Sequence, residues 1–138
     1  SYEEEHTLTL ADIRAWIVPA DDSAMFGAFV DRALAGIVGV ARQRKLKMRH
    51  KAQIWSVYVA PEMRGHGLAR LLLRAAIDHA AAMHGVRTVL LSVTANNTAA
   101  CRLYASLGFE QYGHEQEALC VNGTLYDELL MALPLPAR

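Results

Sequence analysis

Apolar residues along this chain change period several times, and each change marks an element. Ala24–Val30 (AMFGAFV) and Ala33–Arg42 (ALAGIVGVAR) are dense in small and β-branched apolar residues. They read as two strands of an antiparallel hairpin turning at Asp31-Arg32. Ala52–Val59 (AQIWSVYV) reads as a third strand. From Leu68 the period becomes helical: Leu68, Leu71, Leu72, Ala75, His79 and Met83 fall on one stripe, with Arg70, Arg74 and Asp78 opposite. Gly85 is placed to end that helix. Arg87–Val93 (RTVLLSV) is too continuously apolar for a half-exposed strand and predicts an interior one. A second helix follows, with an asparagine at its N-cap and Gly108 just past its end. Asn122-Gly123, between EALCV and TLYDELLMAL, is a strong signal for a closing hairpin.

The first segment is shorter. In Thr9–Ile17 (TLADIRAWI), Leu10, Ile13 and Ile17 share a helical face, which predicts a short helix stopped near Pro19. Strand, helix, strand, helix and hairpin together predict an α/β fold, a mixed and mostly antiparallel twisted sheet with helices on both faces. At 138 residues this is expected to be a single domain. A sheet beginning at Ala24–Val30 leaves an uncharged edge that something should cover: an absent N-terminal segment, the acidic SYEEEHT tail folded back, or a second subunit, of which a homodimer is the simplest.

Charge narrows the partners. Fourteen basic residues balance fourteen acidic ones, so nothing global favours nucleic acid or a membrane surface. The basic run Ala41–Lys51 reads as a solvated hairpin connection, with an anion-attracting rim as the alternative. Cys101 and Cys120 lack metal-ligand spacing and are too few for a disulfide framework, so no metal is expected and both thiols should be reduced. The acidic start and the absence of a long apolar run lead to the expectation of a cytoplasmic protein.

Candidate chemistry lies where the third strand hands over to the first helix, at Arg64-Gly65-His66-Gly67. The first amides of a helix have no intrahelical partner and carry the positive end of its dipole. Glycines there let a phosphate approach closely, and a nearby arginine adds charge. A plain glycine turn would look the same. Two nucleotide motifs fail: no Lys-Ser or Lys-Thr follows the glycines, and Arg70 stands where a dinucleotide fingerprint needs its third glycine.

At these residues the sequence resembles the GNAT superfamily of N-acetyltransferases. Arg64, Gly67 and Ala69 match its acetyl-CoA motif R/Q-x-x-G-x-G/A. Asn97, Ala100, Leu103, Tyr104, Gly108 and Phe109 match a second signature, N-x-x-A-x-x-L-Y-x-x-x-G-F, after the next strand. The resemblance implies the GNAT sheet, apparently without its usual first strand and helix. It also implies acetyl-CoA as co-substrate and a primary amine of a small molecule or peptide as acceptor. On this likeness Val57, Tyr58 and Val59 pair with the pantetheine arm. Amides of Arg64, Gly65, His66, Gly67, Leu68 and Ala69 hold the pyrophosphate, with Arg70 close by. Asn97 and Ala100 lie against the arm or the acetyl carbonyl, and Tyr104 turns its hydroxyl to the thioester sulfur.

One role stays unassigned. Many relatives of the peptide-N-terminal type carry a glutamate where this chain has Ser92, and a serine is no useful base unaided. His50, Glu115, Glu117, Asp127 and Glu128 are candidates, each also readable as an exposed charge. A non-catalytic CoA-binding module of the same fold is therefore the alternative function.

Overall fold

The computed structural model describes residues 11–136. Among these residues seven strands form one sheet in the order β1-β2-β3-β4-β5-β7-β6. They are β1 (Asp12–Val18), β2 (Ser23–Val30), β3 (Ala33–Arg42), β4 (Lys51–Val59), β5 (Thr88–Thr94), β6 (Glu110–Val121) and β7 (Thr124–Pro134). The α-helices among the described residues are α1 (Leu68–Ala82) and α2 (Thr98–Ser106). Every neighbouring pair is antiparallel except β4 and β5.

Both two-residue hairpin turns fall where the sequence put them. Asn122 (φ 50°) and Gly123 (φ 79°) take the left-handed values that match strand twist. Asp31 (φ 52°) and Arg32 (φ 67°) do the same without a glycine. That conformation costs a β-carbon residue about 1–2 kcal/mol, which the pairing of β2 with β3 must sustain.

The expected helix at Thr9–Ile17 is instead β1, with its first residues outside the described range. Ile13 pairs with Ala28 and Ile17 with Ala24 across β2. A spacing of four is even, so Ile13 and Ile17 share a face in a strand as well as in a helix. The open edge of β2 decided between the two. That edge is consequently covered within the chain, by seven residue pairs, and the reason given for a covering homodimer disappears. Only a three-residue 3-10 turn, Pro19–Asp21, separates β1 from β2.

Cross-strand register defines the two faces. Val40 pairs with Ile54, Ala52 with Val89, and Leu91 with Met131, so these side chains share one face. A β-carbon on Gly36, on that same face, would meet Leu72 of α1, and one on Gly108, at the end of α2, would meet Leu133 of β7. Both helices therefore lie over this face, and Arg70 of α1 donates to Ser106 Oγ of α2 at 2.8 Å. Among the described residues the expectation of helices on both faces is thus met on one face only. The opposite face presents Trp16, Leu34 and Trp55, all substantially exposed.

Under α1 the buried residues are Leu68, Leu72, Leu73, Ala76 and Ala80, while Leu71 is 41% exposed. The predicted stripe is rotated by about one residue. Three consecutive leucines leave its phase undetermined, and Leu71 lies one turn from the exposed Arg74. Each fully buried leucine contributes roughly 1.5–3 kcal/mol. Strand β5 is interior, as expected, and buries Val89, Leu91 and Val93, but Ser92 on its other face is exposed. The basic run ends at the start of β4, where Arg42 and Arg49 engage Asp22 at 3.4 and 2.7 Å.

Gly36 is where α1 rests on β3. An added β-carbon would stand 2.9 Å from the Tyr58 carbonyl oxygen and 3.0 Å from Leu72 Cδ1. Backbone cannot swing aside, so Gly36→Val should destabilise the fold by about 1–3 kcal/mol. Urea unfolding should show the lowered midpoint with an unchanged slope.

Candidate functional site

A slot opens between β4 and β5. Their parallel pairing stops after Lys51–Thr88, Ala52–Val89 and Gln53–Leu90. Beyond it, β4 carries a bulge against β3: Gly39 pairs with Trp55 and Ile37 with Tyr58, leaving two residues opposite one. Ser56 takes φ 55° there, which bends β4 away from β5. The slot has a volume of about 180 Å³. Ile54, Val57, Leu91, Val93 and Tyr104 line it, together with Trp55, Ser92, Thr94, Asn97 and Glu128.

Backbone polarity turns into the slot. Ala60 N–H donates to Ala35 O at 2.8 Å, which makes Gly36 and Val59 a non-hydrogen-bonded pair. The N–H and C=O of Val59 therefore point away from β3. Arg64 Nε donates to that carbonyl at 2.9 Å, and its guanidinium lies 5.7 Å from the centre of the Tyr58 ring. Arg64 thus ties the loop to the end of β4.

The loop itself is a set of unspent donors. Among the described residues the amides of Gly65 to Arg70 find no acceptor; the first bond of α1 runs from Leu71 N to Gly67 O at 3.2 Å. Gly67 is the N-cap at φ 81°, no side chain caps the helix, and its first turn has no acidic residue. A β-carbon on Gly65 or Gly67 would meet nothing within 4 Å, so the space before the amides is open. Open space, free N–H groups and two arginines suit a pyrophosphate. His66 contributes its amide to this set. The Ala41–Lys51 run is at the opposite end of β4 and forms no rim here.

Tyr104 and Asn97 come from α2. Tyr104 is 6% exposed and packs edge-on to Phe109, with 6.0 Å between ring centres. Its hydroxyl has no hydrogen-bond partner among the described residues. Burial, and then the neighbouring Cys101, raise its pKa above the ordinary phenol value. Asn97 Oδ1 accepts from Ala100 N at 3.2 Å, so Asn97 is the cap the sequence predicted. That bond also commits the Ala100 amide.

The five candidate bases separate. His50 is at the far end of β4, where its carbonyl accepts from Arg87 N. Asp127 is engaged by Glu117 N–H and by His114 Nε2, both at 2.8 Å. Those two contacts, the Glu117 amide first, lower its pKa. Glu117 donates its amide, and Glu115 lies across from Glu128 on β6. Only Glu128 lines the slot. Trp55, Ser56 and Thr94 line it too and were not singled out in the sequence. Their signal, a residue opposing the end of one strand pair, exists only once register is known. No group of three or more potential metal ligands occurs among the described residues, and none of their helices is long and apolar enough to cross a membrane.

The Tyr104 shift has a pH signature. A raised folded-state pKa means that burial favours the neutral phenol, so this contribution to stability is present below the ordinary tyrosine pKa, near 10. It is lost as pH rises through the higher folded value. Ultraviolet titration should show a late tyrosinate phase that Tyr104→Phe removes.

Comparison with known proteins gives a consistent result. The family model described as Acetyltransferase (GNAT) family matches residues 1–109. The spermidine N(1)-acetyltransferase of Vibrio cholerae is 28% identical over 106 residues, covering 77% of this chain and 61% of that protein. The [ribosomal protein bS18]-alanine N-acetyltransferase of Escherichia coli is 35% identical over 85 residues, covering 62% of this chain and 57% of that one. The chain thus spans about three-fifths of the length of these relatives. Among solved structures, a GNAT-family acetyltransferase from Streptococcus pneumoniae superposes with a TM-score of 0.78 at 28% identity, over 83% of this chain and 68% of that one. A putative acetyltransferase from Salmonella typhimurium, solved with its cofactor acetyl-CoA, gives 0.76 at 26% identity, over 84% and 66%.

Proposed function

Because this chain belongs to the Acetyltransferase (GNAT) family, we propose that it moves the acetyl group of acetyl-CoA directly to a primary amine of a small molecule or peptide. The observation that carries the reading is the alignment of the slot with the donor loop. Free amides, open space and Arg64 stand at one end of a cleft whose walls are unpaired strand backbone and Tyr104.

Acetyl-CoA supplies an activated carbonyl that an amine attacks unaided, so neither Cys101 nor Cys120 is needed as a nucleophile. The residues of the chain bind the donor, stabilise the charge that develops on its carbonyl and protonate the leaving sulfur. Amides of Gly65 to Arg70 bind the pyrophosphate at the start of α1, with Arg64 and Arg70 adding charge. The edge of β4 from Val57 to Val59 pairs with the pantetheine arm as an added strand would. The Val59 N–H, turned away from β3 at the end of β4, is a preorganised donor for a carbonyl oxygen that gains charge. Tyr104 then donates its proton to the departing sulfur. A phenol is protonated at neutral pH in any case, and the burial that raises its pKa leaves it so, the form in which an acid must stand. Asn97 has its carbonyl spent on capping α2, which leaves its amide NH₂ for the arm.

The relatives named for spermidine and for a ribosomal-protein alanine both act on amines, which supports an amine acceptor. Ser92 stands on the exposed side of the slot, and removal of the acceptor's proton is left to water or to Glu128 beside it.

Two measurements test the assignment. Acetyl-CoA at a hundredfold excess over its Kd should stabilise the protein by about 2.7 kcal/mol and raise the melting temperature. Gly67→Val, with a branched side chain at φ 81° before the donor amides, should abolish the shift; a full shift in the variant would move the site elsewhere. Tyr104→Phe keeps the ring and should leave acetyl-CoA binding intact, while kcat falls roughly 10²–10⁴-fold. Unchanged turnover, where chemistry limits the rate, removes Tyr104 from the mechanism.

A further inference from the structure

The slot has two mouths of opposite chemistry. The pyrophosphate loop, Tyr104 and Asn97 all belong to α1 and α2 or their entry turns, on the helix-covered face. Ser92, Thr94 and Glu128 lie on the other face: Thr94 pairs with Glu128 and Ser92 with Leu130, one residue out of phase with the buried Leu91 and Val93. Trp55 is on that face as well, since it pairs with Gly39 and its indole covers the space a β-carbon there would fill. A donor bound from the helix side leaves an acceptor one route, through this second mouth.

The second mouth is built for positive charge. Glu115 and Glu128 are direct partners in the β6–β7 register, so their carboxylates project from the same face side by side. Like charges placed so are destabilising, and among the described residues neither has a cationic partner. The nearby His114 is committed to Asp127. Trp55 is 40% exposed at the opposite lip, a face on which a cation can rest. Inside, the unpartnered hydroxyl of Tyr104, on a residue only 6% exposed, lines the same slot as Glu128 and marks where a polar group of a ligand belongs. Acidic residues on a surface alone would mean little. Here Glu128, with Glu115 as its direct partner on the next strand, lines the same slot as a tyrosine hydroxyl that has no protein partner among the described residues.

We infer that the acceptor is an amine carrying a second positive charge, a diamine or polyamine, which enters by the face opposite the helices and is held by Glu128 and Glu115. Glu128 meets the nitrogen that enters the slot, and Glu115, one strand further out, meets the distal ammonium. Trp55 covers the alkyl chain between them. This rests on the acetyltransferase reading and narrows it. A peptide N-terminus with no second cation would leave Glu115 and Glu128 repelling each other.

The test compares 1,5-diaminopentane with pentylamine, which share a reacting end and differ only in the distal ammonium. Wild-type protein should prefer the diamine by about tenfold or more in kcat/KM, a typical value for one charge-assisted contact. The preference should shrink as salt is raised, because the mouth is exposed. In the Glu115→Gln/Glu128→Gln double variant it should fall to about twofold or less, with KM for the diamine rising, while the thermal shift given by acetyl-CoA stays as in wild type. Without acetyl-CoA, the diamine alone should raise the melting temperature of wild type and not of the double variant. Equal use of the two amines by wild type, or a preference that survives in the double variant, overturns the inference and leaves acetyl transfer standing. Absence of both an acetyl-CoA shift and CoA release with any amine overturns the acetyltransferase reading, and the acceptor assignment falls with it.

Discussion

Strands β4 and β5 hold together through three residue pairs and then part, and the rest of the site depends on that failure to continue. A parallel pair inside a sheet ordinarily satisfies its backbone groups along its whole length, because a buried unpaired N–H or C=O costs about as much as a lost hydrogen bond. Here the bulge at Ser56 turns β4 aside, and groups that should have met β5 face a slot instead. Arg64 takes up the Val59 carbonyl. The remaining donors are left for water or a ligand that can extend the ladder. A left-handed serine in a strand is costly, and the strand tolerates it because β3 pairs with β4 on either side of the bulge.

The core around the slot is what makes the opening affordable. Leu68, Leu72 and Leu73 are essentially inaccessible, and they join α1 to a sheet face on which Val38, Val40, Ala52 and Val89 are equally buried. Gly36 lets the helix come close enough for this contact. The result fixes the start of α1 relative to the end of β4, so the donor amides of the loop and the parted strands cannot drift independently. Arg70 and Ser106 add a bridge from α1 to α2, which carries Tyr104.

The two sides of the sheet are unequal, and the inequality is useful. One is covered by both helices and collects the groups suited to a large anionic donor. The other carries carboxylates and an indole around the same slot, with little over it among the described residues. A reaction between two substrates that must meet without sharing a route fits such a division. It also explains why a small change in strand register would matter so much: shifting β7 by one residue would send Glu128 to the helix side and Leu129 into the slot's outer mouth.

Much of this was legible in the sequence. The hairpins at Asp31-Arg32 and Asn122-Gly123, the interior strand Thr88–Thr94, and the capped helix beginning after Asn97 follow from local periodicity and turn chemistry, which act within a few residues of chain. The donor loop was legible for the same reason, since a helix start advertises its free amides wherever it occurs. Three things were not. Ile13 and Ile17 suit a helix and a strand equally, and only the vacant edge of β2 chose. The run Leu71-Leu72-Leu73 fits more than one helix phase, and only contact with the sheet chose Leu72 and Leu73. Glu128 was one acidic residue among several until the pairing of β7 with β5 put it in the slot and the pairing with β6 set Glu115 beside it. Local sequence determines which elements form, because propensity and capping are short-range. Which faces meet, which edge is filled and which carboxylate stands in the cleft are decided by pairing between segments far apart in the chain.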